Sequence, residues 1–158
     1  MDVSYFFHWL ANTSVAEAIN SSEWLFPVIE SIHITGLAVL IGTIAIVDFR
    51  LLGLVLPKWQ VRQLAAELKP FTLTGIAIML TTGPLMLSAA PERGYGNPAF
   101  AFKMLFLLLA LTTHFSIHRR VTMSDRTSGT SLGGKLVACV SLVLWTGVVV
   151  GGRAIAFF

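Results

Sequence analysis

The sequence predicts an all-α integral membrane protein, an up-and-down bundle of four helices with short interfacial helices at its N-terminus. Three observations carry that prediction. The chain has 158 residues, 55% of them hydrophobic and only 12% charged, about half the charged fraction of an ordinary soluble domain. Apolar runs recur at residues 34–47, 71–90, 104–113 and 136–150. With its flanks, each reaches the roughly 20 residues that a bilayer core of about 30 Å requires. The charges are also sorted along the chain. No Lys or Arg precedes Arg50, and eight of the eleven basic residues fall in or beside two loops, at Arg50, Lys58, Arg62 and Lys69 and at Arg119, Arg120, Arg126 and Lys135.

Residues 1–23 are too mixed to span a bilayer. YFFHWL (residues 5–10) clusters aromatics that suit headgroup depth, and Ser14 and Glu17 have the spacing of a capping box. Short helices on the membrane surface are expected there. The first span runs from about residue 25 to 56, with Pro27 in its first turn and Pro57 after its end. The second covers about 71–90, after Pro70, and the third about 98–118, opened by Pro98. A polar loop over residues 122–134 leads to the fourth, about 135–156. Four spans put both basic loops on one face. The positive-inside rule makes that face cytoplasmic, with both termini outside. No basic n-region precedes the first run, so that span is expected to be retained rather than cleaved as a signal peptide. The whole chain reads as one transmembrane domain.

Gly147 and Gly151 form a GxxxG pair, and Ala38 and Gly42 a small-xxx-small pair. Such pairs let helices approach closely, either inside the bundle or at a homo-oligomer face.

Ionisable residues inside the spans are the candidate functional groups, because they are costly in hydrocarbon and find partners or do chemistry. At 100° per residue Glu30, His33 and Asp48 share one stripe of the first span, and Lys103 and His114 share a face of the third. With 1.5 Å per residue, Glu30 and Lys103 lie roughly 5 and 8 Å below the span starts, close enough to pair. His33 lies roughly 9 Å in and His114 roughly 24 Å in, so one heme iron cannot easily be shared between them. The second span offers Met86 near the depth of His33, on a face with Gly75, Met79 and Gly83, whose two glycines would leave room for a flat macrocycle. His and Met are a known axial pair for heme. His114 and His118, four residues apart, could hold a divalent metal together with Asp48. Alternatively His118 heads the basic cluster with Arg119 and Arg120, His114 contacts Thr112 or Thr113, and Asp48 pairs with Arg50. His8 is a surface residue or a ligand reaching toward His33.

Other chemistry has no signature. The single cysteine, Cys139, excludes an intrachain disulfide, a CxxC metal knuckle and a CxxCH heme attachment. There is no phosphate-binding glycine loop, HExxH or GxSxG, and no nucleophile that announces an enzyme. The sorting of the basic residues points to a lipid bilayer as partner and not to nucleic acid.

ESIHITGLAVLIGTIAIVDFRLLG (residues 30–53), TGIAIMLTTGPLML (74–87) and NPAFAFKMLFLLLA (97–110) together resemble a family of small four-span bacterial membrane proteins known as a domain of unknown function. The pattern of Glu, His, Gly, Asp-x-Arg and Asn-Pro-x-Phe-x-x-Lys carries this likeness, and it brings no established activity. A looser resemblance is to four-helix b-type cytochromes of bacterial inner membranes, whose bundle histidines hold heme, and it implies the same location for this chain. This chain departs from them in offering three span histidines where a two-heme member needs four. That likeness implies a membrane protein binding heme b and taking part in electron transfer with a quinone or a redox partner protein. His33 and then His114 would be the iron ligands, with Glu30 and Lys103 tuning the site and Lys103 meeting a propionate. The alternatives are a non-catalytic oligomeric subunit with internal ion pairs, and a copper- or metal-handling protein.

Overall fold

Two short helices, α1 (Val3–Ala11) and α2 (Ser14–Asn20), open the computed structural model, which describes residues 3–123 and 131–157. The capping group of α2 is Thr13, whose hydroxyl accepts from the Ala16 N–H at 3.3 Å; Ser14, the capping residue expected from sequence, is already inside the helix. Tyr5, Phe6 and Trp9 are exposed, as surface aromatics should be, while Phe7 turns inward onto Tyr95 and Phe100.

Four helices follow that are long and apolar enough to cross a membrane, which makes this a multi-pass membrane protein. The first, α3 (Leu25–Leu52), stops four residues short of the expected end. Gly53, at φ 83°, adopts the left-handed conformation, and the Gly53 and Leu54 N–H groups close back on the Arg50 and Phe49 carbonyls. Arg50 then ties down the following loop, donating from Nε to the Trp59 carbonyl at 2.8 Å and from Nη2 to that of Pro57 at 3.3 Å. It does not pair with Asp48.

The next helix, α4 (Val61–Ala89), starts ten residues before the expected Phe71 and carries Pro70 and Pro84 inside it. Val61 and Leu64 are buried while Arg62, Gln63, Ala66 and Glu67 are exposed. The early segment is thus amphipathic at helical spacing, and its packing outweighs the hydrogen bond lost at Pro70. At 29 residues α4 is about 43 Å long, more than a bilayer core.

Asn97 opens α5 (Pro98–Thr113) by accepting from the Ala99 and Phe100 N–H groups, and its amide donates to the Ile155 carbonyl at 3.3 Å, joining two helix ends. A π-helical turn (His114–His118) continues α5 into α6 (Arg119–Met123). The expected polar loop over 122–134 lies mostly outside the described residues. The last helix, α7 (Leu132–Ala154), is capped by Ser131, whose hydroxyl accepts from the Gly134 N–H.

Packing within the bundle is uneven. α3 lies along α4 and also against α7, and α7 lies along α5, but α4 and α5 barely touch. Leu40, Ile44, Ile76, Ala110, Trp145 and Val148 form the shared core. Close approach depends on glycine. A β-carbon on Gly75 would sit 3.0 Å from the Leu40 backbone, and one on Gly147 would overlap the Phe106 ring. The GxxxG pair therefore serves the α5–α7 contact inside the bundle. Gly42, in contrast, faces open space and both it and Ala38 are exposed.

Candidate functional site

Because α4 and α5 stand apart, a cavity of about 350 Å³ opens at the end of the bundle where α3 and α5 begin and α7 finishes. Its size falls within the roughly 300–1,000 Å³ of small-molecule and cofactor pockets. Six of the residues singled out from the sequence line it: Glu30 and His33 from α3, Met79, Gly83 and Met86 from α4, and Lys103 from α5.

His33 is held from α4. Its Nδ1 lies 2.6 Å from Thr82 Oγ1, and Thr82 donates its only hydroxyl proton to the Ile78 carbonyl, also at 2.6 Å. The hydroxyl must therefore accept, so His33 Nδ1–H donates. In the neutral ring this leaves the Nε2 lone pair free, the tautomer of an imidazole that binds a metal through one nitrogen and is oriented through the other. Gly83 follows Thr82 and lines the cavity beside the ring, where a β-carbon would lie 3.7 Å from His33 Cε1. Gly75 is not part of this wall, being consumed by the contact with Leu40.

The rim is cationic. Arg93, Lys103 and Arg153 line the cavity with a single carboxylate, Glu30. Glu30 and Lys103 form neither an ion pair nor a hydrogen bond with each other, contrary to the pairing their depths allowed. Arg93 lies 5.8 Å from the Phe26 ring and Arg153 5.1 Å from Phe157, distances at which a guanidinium is attracted to the aromatic face. Neither arginine, nor Thr82, stood out in the sequence. A signal for the arginines was present, since only three of the eleven basic residues lie outside the two basic loops, and all three meet here.

The other candidates assemble at the opposite, basic end. The His118 Nε2–H donates to Asp48 Oδ1 at 2.7 Å, with the two side chains 5% and 0% exposed. His118 is thus a buried partner of Asp48 and not the head of an interfacial basic cluster. His114 stacks on His118 with ring centroids 5.2 Å apart at 24° and does not engage Thr112 or Thr113. Its Nδ1, like Asp48 Oδ2, is buried without a hydrogen-bond partner. Among the described residues no group of three His, Cys, Asp or Glu side chains converges as a metal ion would require. His114 and His118 line a separate cavity of about 80 Å³, so the depth difference between His33 and His114 is real and they do not share a site. His8 is exposed and lines neither cavity.

The residues that carried the family likeness divide accordingly: Asn97 and Arg50 tie the backbone, Asp48 holds His118, and Glu30, His33 and Lys103 face the larger cavity. The family's sequence profile matches residues 6–158, nearly the whole chain. The chain belongs to DUF6644, a family of unknown function. No curated protein and no solved structure matches it. Membership in DUF6644 accordingly brings no activity, and function has to be argued from the cavity itself.

Proposed function

We propose that the chain is a membrane-embedded b-type heme protein that takes part in electron transfer, with one heme in the larger cavity. The observation that carries this reading is His33: an imidazole hydrogen-bonded to Thr82 through Nδ1, which in the neutral ring leaves Nε2 available, lining a mostly apolar cavity with a cationic rim. His33 would hold the iron, with Met86, which lines the same cavity, as the second candidate to hold it, while His114, in the other cavity, would not. Lys103, Arg93 and Arg153 would meet the propionates, and the lone carboxylate, Glu30, would moderate their charge. Bound there, heme would supply one-electron redox chemistry.

Under the positive-inside rule the basic loops belong to the cytoplasmic side of a bacterial inner membrane. The cavity then opens in the outer leaflet, within reach of a quinone or a redox partner protein on that side. The reading as a non-catalytic oligomeric subunit loses one of its supports, because Gly147 and Gly151 are used between α5 and α7. The copper reading has no converging ligand set among the described residues.

The test is the visible spectrum of detergent-purified protein from heme-replete cells, oxidised and dithionite-reduced, for wild type and His33→Ala. A Soret band with reduced α and β bands, lost in the variant, is the expected result. A colourless wild type would overturn the proposal and leave the subunit reading in front.

A further inference from the structure

We infer that the small cavity at the basic end is a binding site for one anionic phospholipid drawn from the surrounding bilayer. The cavity lies where α3, α4 and the α5–α6 helix meet, and its lining changes character with depth. Lys69 and Arg119 stand at the rim, both exposed. Neither side chain makes an ion pair or a hydrogen bond among the described residues. About a turn deeper are Thr72 on α4 and His114 on the π-helical turn. The Thr72 hydroxyl is already engaged with Thr43 at 3.0 Å, but His114 Nδ1 is buried and has no partner. Leu73 and Phe115 line the same cavity and are also exposed on the helix surfaces that hydrocarbon would cover.

A diacyl phospholipid presents its groups in the same order: an anionic phosphate, then ester carbonyls, then acyl chains. The phosphate meets Lys69 and Arg119, whose fork of N–H groups suits phosphate oxygens. The ester carbonyls then fall at the depth of His114, whose partly exposed ring lines the cavity. An acyl chain then runs over Leu73 and Phe115. Basic pockets between transmembrane helices near an anionic leaflet are suited to such headgroups. A soluble anion would use only the rim and would leave Leu73 and Phe115 uncovered. This inference does not depend on the heme reading, since it concerns the opposite end of the bundle.

The experiment uses the full chain, purified and delipidated in a neutral detergent. Thermal unfolding and native mass spectra are recorded with phosphatidylglycerol, with phosphatidylcholine, and with inorganic phosphate. Phosphatidylglycerol is expected to raise the unfolding temperature saturably and to be retained as one adduct, while the other two have no comparable effect. Lys69→Gln with Arg119→Gln should weaken the phosphatidylglycerol response by roughly tenfold or more. Lys58→Gln with Arg120→Gln removes the same charge outside the cavity and should leave most of the response. His114→Phe, which keeps an aromatic ring, should weaken it severalfold. Equal responses to the two lipids, an equal response to phosphate, or equal losses in the two double variants would each overturn the site.

Discussion

His33 and Thr82 are joined across the α3–α4 interface by a hydrogen bond of 2.6 Å, and the direction of the Thr82 proton fixes which imidazole nitrogen is free. The two residues are 49 positions apart. Their meeting depends on α3 and α4 lying along one another, an approach that Gly75 permits by leaving room for the Leu40 backbone. Helix packing thereby sets the chemistry that His33 can offer.

Thr82→Ala should therefore loosen His33 without removing it. If His33 ligates heme, occupancy measured by pyridine hemochrome in purified protein should fall, with affinity reduced by roughly 10- to 100-fold, the usual effect of losing a partner that orients a metal-binding histidine. Thr82→Ser, which keeps the hydroxyl, should stay near wild type. An unchanged heme content in Thr82→Ala would show that this hydrogen bond does not orient a ligand.

The cationic rim makes a separate prediction about ligand chemistry. Wild-type protein stripped of heme should bind heme more tightly than its dimethyl ester, because Arg93, Lys103 and Arg153 face the cavity. In the triple variant with glutamine at these positions the two should bind alike, as titration of the Soret band would reveal. A wild type that binds acid and ester equally would remove the propionates from the rim.

Breaking a buried hydrogen-bonded pair of ionisable side chains is destabilising. Asp48→Ala or His118→Ala should each lower stability by about 3–5 kcal/mol, because either leaves a buried ionisable group without its partner. The double variant should recover part of that loss, giving a coupling energy well above the scatter of independent sites. Reversible denaturant unfolding in mixed micelles, followed by Trp fluorescence, measures the cycle. Additive single effects would mean that the 2.7 Å contact carries no net energy.

At the α5–α7 contact, Gly147→Ala should cost about 1–3 kcal/mol by forcing the Phe106 ring aside. Phe106→Leu should relieve much of the cost, and Gly42→Ala, where nothing lies within 4 Å, should be close to neutral. Oligomeric state by size-exclusion with light scattering should be unchanged in all three. A change confined to Gly147→Ala would instead make this pair an intermolecular face.

Much of this protein was legible from one dimension. The four spans follow from apolar run length, which bilayer thickness dictates. The separation of His33 from His114 follows from a helical rise of 1.5 Å per residue along two spans that start at the same face. Membership of one cavity was partly legible too, since Glu30, His33, Met86 and Lys103 could be matched in depth before any helix was set beside another.

Tertiary structure decided the partners. Asp48 could have met Arg50 two residues away, but on a helix residues two apart do not face each other. Arg50 turns to the loop carbonyls of Pro57 and Trp59, and Asp48 reaches His118 on another helix. Glu30 and Lys103 match in depth yet stay apart, because α3 packs on α4 and α7 while α5 packs on α7. The same arrangement holds α4 away from α5, opens the cavity and brings Arg93 and Arg153 to its rim. Periodicity within one helix encodes which face is buried. It carries no information about which other helix will cover that face, and that choice placed the candidate site residues.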